Sequence, residues 1–142
     1  MESPNNLKIM KFLKIFLSIF VIVSIFIIGF FTYYVSDYVL PWDRVEVINT
    51  VKSWGGLSDL PKNATNFEYK KEGSIFTREF TVEFDAPKSE IENWILKSKG
   101  LQQKPSEIIK NTRIFEVRGY ENSMGGKVYI KDNHVKINMM WS

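Results

Sequence analysis

The sequence predicts an α+β protein: an N-terminal transmembrane helix, then a two-layer domain with a roughly five-stranded, mostly antiparallel sheet and two helices on one of its faces. Three observations carry that reading. Ile15 to Ser36 is a run of 22 residues without a charge. Downstream of it, period-2 alternation of apolar and polar residues gives way twice to helical spacing. Near the C-terminus, a two-residue Asp132-Asn133 loop joins two segments whose apolar residues fall on one side when the strands pair. The length of 142 residues accommodates one span and one domain of about 100 residues. The expected divisions are a cytoplasmic tail (1–14), the transmembrane helix (15–36), an interfacial linker (37–42) and an extracytoplasmic α+β domain (43–142).

The charge-free run consists mainly of Ile, Phe, Val and Leu, with Ser18, Ser24, Gly29 and Thr32 as its small or polar interruptions. At about 1.5 Å rise per residue it matches a hydrocarbon core roughly 30 Å thick. A cleaved signal peptide is the competing reading, but its apolar region is usually about 7–15 residues long. The best cleavage site here would also place the bulky Tyr34 at −3 and Ser36 at −1. A buried helix of a soluble core fits less well, because the run has no polar face. Lys8, Lys11 and Lys14 precede the span, whereas Asp37, Asp43, Arg44 and Glu46 follow it. The positive-inside bias therefore places the N-terminus in the cytoplasm and the domain on the far side. Tyr33, Tyr34, Tyr38 and Trp42 cluster at the exit, where rings with a polar tip suit the headgroup layer. These seven Lys and aromatic residues are the expected contacts with the lipid bilayer.

Most of the net charge of +3 resides before the span, where three lysines and one glutamate contribute +2. Residues 37–142 carry 16 basic and 15 acidic side chains. A near-neutral domain lacks the concentrated basic footprint of a nucleic-acid binder, so no nucleic-acid partner is expected.

Within the domain, Val47, Ile48, Val51 and Trp54 follow helical spacing, with Asp43 as candidate N-cap and Gly55-Gly56 ending the pattern. Leu57 to Asn66 reads as a connector. It contains the sequon Asn63-Ala64-Thr65, which matters only in a eukaryotic host. Phe67 and Tyr69 alternate with Glu68 and Lys70. Phe76, Phe80, Val82 and Phe84 then share one face opposite Thr77, Glu79, Thr81 and Glu83, so two strands joined through Glu72-Gly73-Ser74 are expected. Arg78 falls in the apolar row, where a guanidinium must snorkel past an edge or find an acidic partner. Asp85-Ala86-Pro87 stops the strand, and a helix to about Lys99 follows, with Ile91, Trp94 and Ile95 as its buried stripe and Gly100 at its C-cap. Leu101 to Lys110 reads as a loop with at most one helical turn at Ser106–Lys110. Phe115 and Val117 mark a further strand within Thr112–Arg118. In the closing hairpin, pairing Lys131 with His134 sets Ile130 against Val135 and Val128 against Ile137, with Met139 and Trp141 on the same side. Tyr129, Lys131, His134, Lys136 and Asn138 then form the other face.

The residue inventory contains no recognisable catalytic constellation. With no cysteine, disulfides, thiolate metal sites and a cysteine nucleophile are excluded, and a single histidine leaves no His-rich zinc site. No catalytic residue, cofactor or metal is expected. Glu79 and Glu83 read as an exposed strand face, and Gly55-Gly56 and Gly125-Gly126 as turns. Tyr129, Lys131, His134 and Lys136 form the most concentrated polar-cationic patch. It suits either a plain solvated face or contact with a partner. Arg78 is a further candidate binding residue.

Leu60-Pro61, Asn66-Phe67, Phe76-Thr77-Arg78-Glu79-Phe80, Phe84-Asp85-Ala86-Pro87, Ile91, Trp94-Ile95, Ser98 and the closing Met140-Trp141-Ser142 form a recurring pattern of short motifs. Over most of residues 57–142 this pattern resembles a group of bacterial membrane-anchored or lipoprotein-type small proteins. The resemblance implies a place in the cell envelope and brings no activity with it. The chain lacks the lipidated cysteine of the lipoprotein-type members. The functional expectation is a single-pass envelope protein that acts as a protein-interaction module or accessory subunit of a membrane complex. The alternative is a binding module for a small molecule or envelope polymer, using the face around Tyr129 and Lys136 or a pocket near Arg78. An enzyme ranks last.

Overall fold

The computed structural model describes residues 4–74 and 76–142; the first three residues of the expected tail, and the side chains of residues 4–7 and Val35, lie outside the described residues. The chain divides into two compact units, residues up to Ser36 and Asp37–Ser142.

Helix α1 (Pro4–Val35) is one helix long and apolar enough to cross a membrane, over the 27 residues Lys8–Tyr34. It takes in the lysine-bearing segment expected as a tail. Its Ser and Thr hydroxyls are satisfied within the helix: Ser18, Ser24 and Thr32 donate to the carbonyls of Lys14, Phe20 and Ile28 at 2.8–2.9 Å. These three hydroxyls thus make no demand on water.

The second unit is α+β, with an antiparallel sheet of six strands in the order β1-β2-β6-β5-β4-β3. In chain order these are β1 (Thr65–Gly73), β2 (Arg78–Asp85), β3 (Glu107–Ile109), β4 (Thr112–Arg118), β5 (Gly125–Lys131) and β6 (His134–Trp141). The sixth is β3, in the segment expected as a loop or helical turn. Lys110 and Asn111 both take left-handed backbone angles (φ 47° and 65°), which folds Glu107–Ile109 back on β4 in a two-residue turn. The β5–β6 hairpin has the expected register, Lys131 against His134 and Val128 against Ile137, with Asp132 at φ 54°.

Helices α2 (Arg44–Gly55) and α3 (Lys88–Lys97) lie on the same side of the sheet. On that side Phe80, Val82 and Phe84 form one row of β2, and its two ends meet the two helices. Trp54 packs on Phe80 at 5.5 Å between centroids, and Trp94 meets Phe84 edge-on at 6.1 Å. Val135, Ile137 and Met139 of β6, Val128 and Ile130 of β5, and Phe115 and Val117 of β4 complete the buried layer against Val47, Val51, Ile91 and Ile95. The Trp94 indole N–H donates to the Ser58 carbonyl (3.2 Å), which meets the polar demand of a buried indole.

Several local expectations need correction. Asp43 occupies the N-cap position without a side-chain cap; its carbonyl accepts from Val47 instead. Phe76 lies before β2 and is 74% exposed. Trp141 follows the inner row but is only partly covered at the strand end. Residues 37–42 are integrated into the domain unit: Val39 is buried in the core, and the Asp37 carbonyl accepts from the Lys71 amide (3.3 Å).

Gly56 ends α2 in the left-handed conformation (φ 56°), as its position predicts. Gly100 has another role than the expected cap. It sits in a short 3-10 turn (Lys99–Gln102) whose backbone is pressed against the end of α2; its amide donates to the Gly56 carbonyl at 2.9 Å. A Cβ on Gly100 would lie 1.7 Å from the Gly55 carbonyl oxygen. Gly100→Ala is therefore expected to destabilise the domain by about 2–3 kcal/mol, read as a lower thermal midpoint of tryptophan fluorescence in the detergent-solubilised full chain. Gly29→Ala, with open space around its Cβ, leaves that midpoint unchanged.

Candidate functional site

Within the second unit both helices cover one face of the sheet, so the opposite face, called open below, carries no helix of that unit. Alternation along each strand assigns its residues. Glu68, Lys70 and Glu72 come from β1, and Glu79, Thr81, Glu83 and Asp85 from β2. His134, Lys136, Asn138 and Met140 come from β6, and Lys127, Tyr129 and Lys131 from β5. Across the strands, Asp85 stands opposite His134 and Lys131, Glu83 opposite Lys136 and Tyr129, and Thr81 opposite Asn138 and Lys127.

On this face charge is segregated across four strands, with Glu116 and Arg118 of β4 and Glu107 of β3 lying beyond them. β1 and β2 bring five carboxylates and one lysine to it, whereas β6 and β5 bring three lysines and the histidine. The seam runs along the β2–β6 pairing. There Lys136 Nζ meets Glu83 Oε1 at 3.2 Å, His134 Nε2 meets Glu83 Oε2 at 3.2 Å, and His134 Nδ1 meets Asp85 Oδ1 at 2.8 Å. Further along, the Asn138 amide donates to Glu79 and to Thr81 Oγ1 (3.1 Å). Glu83 is only 16% exposed, so this is a knitted polar layer and not the freely solvated strand face that alternation alone suggests.

Ionised carboxylates only accept hydrogen bonds, so His134 satisfies both partners only as the imidazolium. Its pKa is raised, first by the bond with Asp85, against a smaller opposing effect of burial, and further by Glu83. For Glu83, burial works upward, but the hydrogen bonds from Lys136 and His134 together hold its pKa below the usual carboxylate range. Asp85 is held low by the Asn66 amide (2.9 Å) and then by His134. Asn66 reaches it from a bulge, where it adopts φ 53° and the β1–β2 register shifts.

Of the binding residues expected from sequence, Tyr129, Lys131, His134 and Lys136 converge on this face. Arg78 does not. It belongs to the helix-covered row at the far end of β2, half-buried between Gly73 and Trp141. Glu83 and Asp85 were missed as site residues, since nothing local announces that β2 will pair with a strand some 50 residues later. A cleft of about 520 Å³ lies apart from the open face, between the 58–63 connector and α3. There the Asn63 side-chain amide of the sequon is engaged by Glu90. Among the described residues, no group of three or more His, Asp or Glu side chains is arranged to hold a metal ion.

No protein-family model, curated protein or solved structure matches the chain.

A raised histidine pKa stabilises the fold fully below the unfolded value near 6.5, and that contribution is lost as pH rises through the folded pKa. The imidazole NMR signal of His134, a single resonance in a one-histidine chain, is expected to titrate above pH 6.5. In Asp85→Asn the midpoint falls back towards 6.5. The stability of the native chain decreases across the same interval, and His134→Gln flattens that slope.

Proposed function

We propose that the protein is a single-pass, membrane-anchored docking module without catalytic activity. Its N-terminus is cytoplasmic, α1 spans the bilayer, and the open face of the extracytoplasmic sheet contacts another protein in the envelope. The observation that carries this reading is a folded domain whose sheet has no helix of its own unit on one face, a face built along β2 and β6 from ion-paired charges, joined in sequence to a helix of spanning length.

Three features support the membrane side of the proposal. Lys8, Lys11 and Lys14 precede the apolar segment without acidic counterparts between them, which favours a cytoplasmic N-terminus. The Ser18, Ser24 and Thr32 hydroxyls within α1 are bonded to its own backbone. Tyr34, Tyr38 and Trp42 are exposed at the exit and suit the headgroup layer. On the docking side, a half-buried charge layer excludes water better than a loose set of surface lysines, so a partner meets fixed, directional groups.

Two measurements on the full chain in spheroplasts of a bacterial host test the proposal. External protease is expected to digest the C-terminal domain. A photo-crosslinking residue at Tyr129 is expected to give a discrete adduct, and the same residue at Leu96, on the exposed side of α3, none. A protected domain, or a Tyr129 position that gives no adduct, would overturn it.

A further inference from the structure

We propose that the folded domain rests on the bilayer that α1 crosses, with the end of the sheet where β2 begins and β6 ends seated in the headgroup layer. The inference rests on the spanning reading of α1 above and adds a second, non-covalent contact with lipid. Strand pairing defines that end. Gly73, Arg78 and Trp141 are in register across β1, β2 and β6, and Met140, Gly125 and Arg118 across β6, β5 and β4. The β1–β2 turn and the 119–124 loop therefore project from it, and they carry the strongly exposed Phe76 and Met124. The loop also holds the end of α2: the Tyr120 amide and the Ser123 hydroxyl donate to the Trp54 carbonyl at 3.0 and 3.2 Å. At the start of α2, Trp42 and Val45 are equally exposed and line one open groove of about 530 Å³ with Glu121 of that loop. Among the described residues of the domain, every exposed large apolar side chain except Phe67, Leu96, Ile108 and Ile109 belongs to this end or to residues 38–45.

The occupant follows from the connection of the chain itself. α1 ends at Val35, and the carbonyl of Asp37, two residues on, already accepts from the amide of Lys71, two residues short of the end of β1. Two residues reach at most about 7 Å. A helix that crosses the bilayer therefore delivers this end of the domain to the membrane surface, where exposed rings and a methionine at turn tips suit the boundary between headgroups and acyl chains. The opposite end differs: its turns are Asp132-Asn133 and Lys110-Asn111, and the eight-residue β2 sets it about 26 Å away. Charges at the seated end are mixed, Lys71, Arg78 and Arg118 with Glu72 and Glu121, so apolar insertion carries the contact and no anionic lipid is required. With this end down, the strands stand upright and the open face looks along the membrane surface towards its neighbours.

The cysteine-free chain accepts single labels. Phe76→Cys, Met124→Cys, Asn133→Cys and Ile22→Cys, each carrying the same environment-sensitive fluorophore, are compared in the full chain reconstituted in phosphatidylcholine vesicles that contain lipids with a nitroxide on the headgroup or on the acyl chain. The Phe76 and Met124 labels are expected to be quenched by the headgroup nitroxide several-fold more than the Asn133 label, and equally so at about 0.5 M salt, because apolar contact is not screened. The Ile22 label, within α1, is expected to be quenched by the acyl-chain nitroxide. Phe76→Ser with Met124→Ser, both at exposed positions, should leave the thermal midpoint unchanged and lower several-fold the headgroup quenching of a label at Val45→Cys. Quenching at Phe76 and Met124 no stronger than at Asn133, or a Val45 label indifferent to the double substitution, overturns the seating. A Phe76 label shielded from water yet not quenched by lipid overturns it as well, and shows a protein on this end. If the Ile22 label is still quenched in those cases, the span stands and only the seating fails. If it is not, both fail.

Discussion

The antiparallel pairing of β2 with β6 is the constraint on which the rest of the domain depends. It joins the strand pair formed early in the chain to the four strands formed late, across a gap that includes α3. Eight residue pairs, from Arg78–Trp141 to Asp85–His134, fix its register. On one side it aligns Val82 and Phe84 with Val135 and Ile137, all fully buried, and so builds the centre of the core. On the other it places Glu83 and Asp85 against Lys136 and His134. A slip of one residue would exchange the two sides, setting charges under the helices and apolar residues in water. Core and candidate site are therefore two consequences of one register.

The charge layer on the open face stabilises that register and costs something in return. Glu83 is largely withdrawn from water, which disfavours its ionised form, and two cationic partners offset this. Removing either partner leaves the carboxylate half-buried with fewer donors, so the layer acts as a unit. Its members sit on rigid strands, not on loops, which gives the face a fixed pattern for a partner to read. The bulge at Asn66 contributes to the same end by bringing an edge-strand amide to Asp85.

Much of the fold was legible locally. The Asp132-Asn133 hairpin reads in full because a two-residue loop and alternating apolar residues determine register together. The buried stripe Ile91-Trp94-Ile95 and the termination of α2 at Gly56 follow from spacing and from left-handed capping. What was not legible has physical causes. β3 carries Ile108 and Ile109 exposed at 74% and 51%, so no burial pattern marks it, and Lys110-Asn111 is an uncommon pair for a tight turn. Gly100 resembles a cap in sequence, but the requirement it meets is a long-range backbone contact. Of the candidate site, the β5–β6 half was visible, while Glu83 and Asp85 read as a solvated strand and its stop. Only pairing between distant segments gives them their role. Arg78 was grouped with binding residues because of its charge, and strand alternation places it on the other side.

The register of β2 against β6 can be measured directly by interstrand nuclear Overhauser effects in the isotope-labelled full chain in detergent micelles. The account predicts cross-strand contacts that place Glu83 opposite Lys136 and Phe84 opposite Val135. Contacts that instead place Glu83 opposite Val135 would contradict it, because His134 and Lys136 would then lie on the helix-covered side.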